Sequence, residues 1–162
     1  MTDIETRLGR IEALTGIRHT IYTYAEAGDR HNAPETMSQI FADDAFYEAK
    51  GVAAFTGLDA IVAGLKEIGK SQVLWSFHLP GRILIELGAD LQTASANWLV
   101  WEPASLMTDG APKPHWLAGA YDGLFVRVGE TWKFSSLILK VRFFTPYEGP
   151  WTQVEDDFVY SG

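Results

Sequence analysis

From about Asp3 to Gly28 apolar positions recur at steps of three and four. Ile4, Leu8, Ile11, Leu14, Ile17, Ile21, Tyr24 and Gly28 make one stripe of a long amphipathic helix. Gly28 reads as its stop. Asn32-Ala33-Pro34-Glu35 then offers a capping residue, an early proline and an acid three positions after the cap, so a short second helix starts there and ends near Phe41. Ala42-Asp43-Asp44 turns the chain into a strand over 45–49, and 51–57 is a loop. A third helix covers 58–68, with Leu58, Ile61, Val62, Leu65 and Ile68 on its buried side. From Gln72 onward the pattern becomes strand-like. Residues 73–87 read as one long strand that Pro80-Gly81 interrupts as a bulge would. Gly88-Ala89-Asp90 turns the chain, and 91–102 returns with Ala94, Ala96, Trp98 and Val100 alternating. Residues 103–114 read as a longer loop, 115–128 as a strand, Gly129-Glu130 as a hairpin turn and 131–144 as the last strand.

Three helices followed by a strongly bent antiparallel sheet make an α+β layout. With the helices on one face, the curled sheet wraps them into a cone with a cavity. No internal repeat divides the chain, and 162 residues suit one domain spanning 1–162. The aromatic tail over 145–162, with Tyr147, Trp151, Phe158 and Tyr160, is expected to close the cone or pack on a neighbouring subunit.

Composition narrows the chemistry. Thirteen basic against twenty-one acidic residues give a charge of −8, which argues against nucleic acid or an anionic membrane as partner. With no Cys there is no disulfide framework, thiolate nucleophile or Cys-ligated metal. His19, His31, His78 and His115 lack HxH or HExxH spacing, so neither a metal nor a cofactor is expected. GxSxG and a phosphate-cradling glycine loop are absent too. The N-terminal MTDIETRLGRIEAL is charged and amphipathic, unlike a signal peptide, and no apolar run approaches the roughly 20 residues that span a bilayer. A cytoplasmic location is expected. Six Trp suggest that any cavity has aromatic walls.

A histidine becomes a competent general base when a carboxylate holds its other ring nitrogen. Asp29 is the candidate carboxylate and His78 the candidate base. The blander readings are a solvated loop acid and a histidine hydrogen-bonded for structure. Asp29 stands at a helix C-terminus, the unfavourable end of the dipole, and with Asn32 as the cap it needs another reason to be there. Tyr24 lies roughly 140° around the helix from Asp29, so both reach one cavity only if the helix distorts near Gly28. Tyr24 and Tyr47 are candidate phenols that donate to a developing negative charge. Arg142 alternates with Ile138, Lys140 and Phe144, and is costly to bury without an anion. It is expected to clamp a substrate carboxylate or phenolate, or else to pair with an acid. Phe77, Trp98 and Trp116 are the candidate aromatic contacts, among a set that includes Trp75, Trp101 and Phe143. Asn97 and Asp122 are weaker inward-facing candidates.

The element order and the phrases YAEAGDRHN, IFADDAFYE and GAYDGLFVRVGETWKF resemble the cone-shaped family of nuclear transport factor 2 and the SnoaL-like polyketide cyclases. The resemblance covers about residues 5–145 and extends to the branch with scytalone dehydratase, a dehydrochlorinase and bile-acid dehydratase. In that branch an Asp at the position of Asp29 faces the cone and pairs with a strand His at the position of His78, and a Tyr stands where Tyr24 does. The resemblance implies a cofactor-independent lyase. His78 would take a proton from carbon or a phenol, with Asp29 orienting the imidazole. Tyr24, Tyr47 or Arg142 would steady the enolate or phenolate. Water is the default leaving group, with halide or a one-carbon fragment such as formaldehyde also allowed, from a hydrophobic aromatic or polycyclic substrate. An isomerase or cyclase with Asp29 as base is the alternative if His78 points away. A non-catalytic ligand-binding or assembly module, like the small subunit of ring-hydroxylating dioxygenases, predicts a filled cone. A homo-oligomer is expected, a trimer before a dimer.

Overall fold

The computed structural model describes residues 3–71 and 73–148. In order these form α1 (Asp3–Asp29), α2 (Pro34–Ile40), β1 (Phe41–Ala49), β2 (Ala53–Thr56), α3 (Leu58–Ser71), β3 (Val73–Ser76), β4 (Leu79–Leu87), β5 (Thr93–Thr108), β6 (Ala111–Val128) and β7 (Thr131–Pro146). One seven-stranded sheet runs β2-β1-β7-β6-β5-β3, with β4 also paired to β5. β1 lies parallel to β7 and the other pairs are antiparallel, so the sheet is mixed. It curls strongly against the three helices as a cone-like half-barrel, the fold expected.

One end of the cone is packed solid. Phe134 sits 4.7 Å from Phe125, 5.2 Å from Phe41 and 6.2 Å from Trp98 between ring centroids. Ile17 and Ile21 of α1, Met37 of α2 and Leu137 of β7 are fully buried with them. Each such side chain contributes about 1.5–3 kcal/mol by leaving water, and this cluster sets how deep the other end can be.

Several local expectations change. The α1 stripe has helical periodicity throughout, but burial begins at Ala13; Ile4, Leu8 and Ile11 remain 73%, 52% and 62% exposed. A 27-residue helix is about 40 Å long, and among the described residues nothing buries this end of its stripe. Asn32 does not cap α2. Ala33 occupies that position without a side-chain bond, and Asn32 instead donates from Nδ2 to the Leu65 carbonyl at 2.9 Å, tying the α1–α2 turn to α3. β1 begins at Phe41, so Ala42-Asp43-Asp44 belongs to the strand, and β2 lies inside the segment expected to be a loop.

The presumed loop over 103–114 is the far half of the longest hairpin. Pairing continues from Thr93 with Val126 to Thr108 with Ala111, and Asp109 and Gly110, at φ 53° and 75°, close it. Two successive positive φ values mark a two-residue type I′ turn, for which Asp-Gly is a favoured pair. Pro103, Pro112 and Pro114 conceal this strand in the sequence because proline donates no ladder bond.

The single strand expected over 73–87 is two strands, β3 and β4, separated at Phe77-His78. Opposite the gap stands Pro103, which accepts from the Phe77 N–H at 3.1 Å but has no N–H to return. A second irregularity lies between Gly81 and Leu84, where Arg82 has φ 46°. Of the expected tail, Thr145 and Pro146 complete β7 and Tyr147 packs on Trp116 at 5.6 Å; Trp151, Phe158 and Tyr160 lie outside the described residues.

Candidate active site

At the gap between β3 and β4 the His78 N–H turns away from the sheet and donates to Asp29 Oδ1 at 2.8 Å. The same oxygen lies 2.8 Å from Nδ1 of the His78 ring. One carboxylate oxygen thus holds both the backbone and the imidazole. Bonds to a charged acceptor contribute about 1.5–3 kcal/mol each, against about 0.3–1 kcal/mol lost by an acid at a helix C-terminus. The placement of Asp29 against helix preference is accounted for.

Gly28 makes the pairing possible. A Cβ there would lie 2.7 Å from Cε1 and 3.0 Å from Nδ1 of His78, so the ring rests directly on the helix backbone. α1 is continuous to Asp29. No distortion near Gly28 is needed, because Tyr24 faces the cavity directly while Asp29 stands behind the imidazole and reaches it through His78.

The free nitrogen, Nε2, faces a cavity and lies 3.3 Å from Glu102 Oε2. Sequence reasoning missed Glu102. Leu79 pairs with Trp101 and Ser76 with Ala104, which leaves His78 opposite Glu102 across the break. Opposite residues of antiparallel strands share a face. Glu102 also continues the inward series Ala94, Ala96, Trp98, Val100, and a charge on a buried parity was the available signal. Ending the strand at 102 hid it.

The cavity has a volume of about 160 Å³. Tyr24, Tyr47 and Tyr121 form its buried floor, with the Tyr24 and Tyr121 hydroxyls 3.5 Å apart. Leu65, Ile68, Val73, Leu106, Leu117, Leu139, Val141 and Phe144 supply apolar walls. Desolvation pushes all three phenols well above their ordinary value of 10, so they stay protonated donors. Burial pulls the imidazole of His78 down more than any other single influence. The Glu102 charge, then the Asp29 hydrogen bond and charge, together outweigh it and leave His78 above 6.5. Desolvation raises Glu102 above 4.5, opposed by His78 and reinforced by Asp29.

Of the residues expected here, Asp29, His78, Tyr24 and Tyr47 come together. Four do not. Arg142 is exposed on the outer face of the sheet: Gly119 pairs with Val141 and Ala118 with Phe143, so Arg142 is the extra residue of a bulge. Leu139 and Val141 alternate into the cavity, which leaves Lys140 and Arg142 outside, and the bulge then brings Phe144 to the cavity as well. Trp116 is also outside, 5.0 Å from Trp101. Phe77 alternates with His78 and is 52% exposed. Trp98 faces inward but lies beneath the floor, stacked on Tyr121 at 5.1 Å, and does not touch the cavity. Asn97 and Asp122 bond each other at 2.8 Å on the outer face, where Lys140 also pairs with Asp122. Among the described residues no group of three or more His, Cys, Asp or Glu is arranged to hold a metal. None of the described helices is long and apolar enough to cross a membrane.

A family model described as a SnoaL-like domain matches residues 9–138. A hexachlorocyclohexane dehydrochlorinase, LinA type 2, has a similar structure at TM-score 0.80 and 18% identity, covering 89% of this chain and 95% of that one. LinA type 3 from Novosphingobium barchaimii gives 0.78 and 18%, covering 89% and 96%. A protein of Novosphingobium aromaticivorans provisionally designated a scytalone dehydratase gives 0.75 and 21%, covering 88% and 92%. At these identities the likeness concerns the fold. No curated protein sequence matches this chain.

Proposed function

The chain belongs to the SnoaL-like family, and from that premise we propose that it is a cofactor-independent lyase that eliminates a small group from an aromatic substrate. The observation that carries this reading is the fixed imidazole. Asp29 holds the backbone and Nδ1 of His78, each at 2.8 Å, while Nε2 faces a largely apolar cavity. Nδ1 bonded to a carboxylate carries the proton, which leaves Nε2 as the basic nitrogen. His78 removes a proton next to a carbonyl or on a ring, and the charge that develops is met by donors from Tyr24, Tyr47 or Tyr121. Family neighbours described as a dehydrochlorinase and a dehydratase support an elimination at the coarser level.

The cavity of about 160 Å³ compares with apolar cavities of about 150 Å³ that take a benzene-sized ligand. That size favours a substrate that inserts one ring over a steroid-sized polycycle. Two other readings lose support. Asp29 as the base of an isomerase is disfavoured, because it stands behind the imidazole and does not line the cavity. An assembly module with a filled cone is disfavoured by the cavity itself.

The reading includes a cytoplasmic homo-oligomer, a trimer before a dimer. Trp75, Leu79, Leu84, Leu99 and Leu124 are 51%, 45%, 59%, 41% and 54% exposed, an apolar surface of the kind that marks protein contacts.

The test is mass spectrometry of products from a panel of aryl ketones carrying hydroxyl or chloride at the β-carbon, or hydroxymethyl on an α-carbon with no hydrogen of its own. The wild type should release water, hydrogen chloride or formaldehyde from at least one. His78→Ala and Asp29→Asn should each lower the rate about 10²–10⁴-fold, the range for a lost acid–base group. A product of unchanged mass would make the protein an isomerase. Undiminished turnover by His78→Ala would end the dyad.

A further inference from the structure

A base needs only one carboxylate behind it, yet His78 has one at each nitrogen. Glu102 lines the cavity with its side chain 13% exposed, and the polar side chains that line it with Glu102 are His78, the three phenols of the floor, Ser76 and Asn32, none of them a permanent cation. A carboxyl in such surroundings is costly to ionise and useful as an acid. The outer-face acid Asp122 has Lys140 beside it; Glu102 has no Lys or Arg among the residues lining the cavity.

We propose that Glu102 is a further catalytic residue, the general acid that protonates the leaving atom, and that the leaving atom is therefore oxygen rather than halogen. This rests on the lyase reading above. The resting site carries one proton between His78 Nε2 and Glu102, in addition to the one on Nδ1. In the reactive form that proton is on Glu102. The substrate C–H bond breaks and its proton goes to Nε2. The electron pair forms the new C=C bond, the C–O bond breaks, and its electron pair takes the Glu102 proton to release water or an alcohol. The site is left as imidazolium and carboxylate. The proton then crosses the 3.3 Å from Nε2 to Oε2 and restores the starting state without help from solvent. Halide leaves as a stable anion and gains nothing from this acid, so the second carboxylate is explained by an oxygen leaving group.

Facing the pair are Asp29 and Tyr24 from α1, Tyr47 from β1 and Tyr121 from β6; the Asp29 charge raises both members of the pair, and the phenols stay neutral. With two protons on the His78–Glu102 pair the base is lost, and with none the acid is lost. The rate profile is a bell.

The experiment compares the full chain with Glu102→Gln on two probes, the aldol of benzaldehyde with acetone and its β-chloro analogue, with the uncatalysed rates subtracted. Water loss should fall about 10²–10⁴-fold in Glu102→Gln while chloride loss stays within about threefold, and the alkaline limb of the bell should disappear. In parallel, nitrogen-detected NMR should show the His78 imidazole titrating lower in Glu102→Gln, with an unchanged thermal midpoint as the check on folding. Equal losses on both probes, an unmoved His78 titration, or wild-type turnover of the chloro compound alone would overturn the proposal. If the wild type acts on neither probe, or His78→Ala acts on both as the wild type does, the lyase reading itself fails.

Discussion

The two faces of the sheet each hold a carboxylate between neighbouring strands, and treat it in opposite ways. On the outer face Asp122 meets Lys140 and Asn97, its side chain is 40% exposed, and these bonds hold its carboxyl below the usual range. On the inner face Glu102 is desolvated, meets only a histidine as a cation, and is raised. The residue types are nearly the same. What differs is whether water and a permanent cation are at hand. A satisfied surface ion pair adds little to stability and nothing to chemistry, whereas the inner carboxyl, raised by desolvation, is suited to hold and give up a proton. The aromatics divide the same way: Tyr24, Tyr47 and Tyr121 supply hydroxyl groups inside, while Trp101, Trp116 and Phe143 pack together outside.

The largest effect that separates the faces is Gly28→Ala. The new methyl would stand 2.7 Å from the His78 ring, and a displacement of about 1 Å at a reacting group costs on the order of 10²-fold in rate. Helix propensity favours Ala by about 0.8–1.0 kcal/mol, so the variant should remain folded by circular dichroism while kcat falls. Retained activity would mean that the ring does not need to lie where it does.

A smaller effect is the dependence of stability on pH, read from urea midpoints. Glu102 and His78 are both raised on folding, so the folded state keeps protons that the unfolded chain has released. Glu102 costs stability as pH rises from 4.5 through its folded value, and the His78 contribution, complete below 6.5, is lost as pH rises through its own. Asp122 has the reverse sign: its contribution is present above 3.8 and disappears as pH falls through its lowered folded value. Glu102→Gln should flatten the alkaline decline. Asp122→Asn should change only the acid end, by about 0.5 kcal/mol or less given its exposure. An acid-end effect from Glu102→Gln would contradict the contrast between the faces.

The smallest expected effect is that of Arg142→Ala. Its guanidinium is on the outer side of the bulge, so kcat/KM for the compound that the wild type turns over best should change by less than about twofold, the size of an ordinary surface substitution within ±0.5 kcal/mol. A loss of tenfold would return Arg142 to the site.

Much of this was readable from the chain before any coordinates. The period of α1, the change to alternation after Gln72 and the Gly129-Glu130 turn carry local physics, which acts between residues close in sequence and leaves a mark there. Asp29 was legible for the same reason, as an acid at the wrong end of a helix. Ile4, Leu8 and Ile11 have the right period for burial, but period does not say whether anything covers them. Arg142 was misplaced because alternation alone does not say which face is inside: the pairing of β6 with β7 turns Leu139 and Val141 inward and so leaves Lys140 and Arg142 outside.

Helix and strand periods, the acidic character and the chemically able side chains, Asp29, His78, Tyr24 and Tyr47 among them, can be read from the chain alone. That Glu102 meets His78 comes from the fold. Their meeting depends on the register of two strands 24 positions apart in the chain, on the gap opposite Pro103 and on the Gly28 surface beneath the ring. The physical reason is range. Propensity and periodicity act over a few residues, while a shared proton requires two side chains brought within about 3 Å of each other from distant parts of the chain.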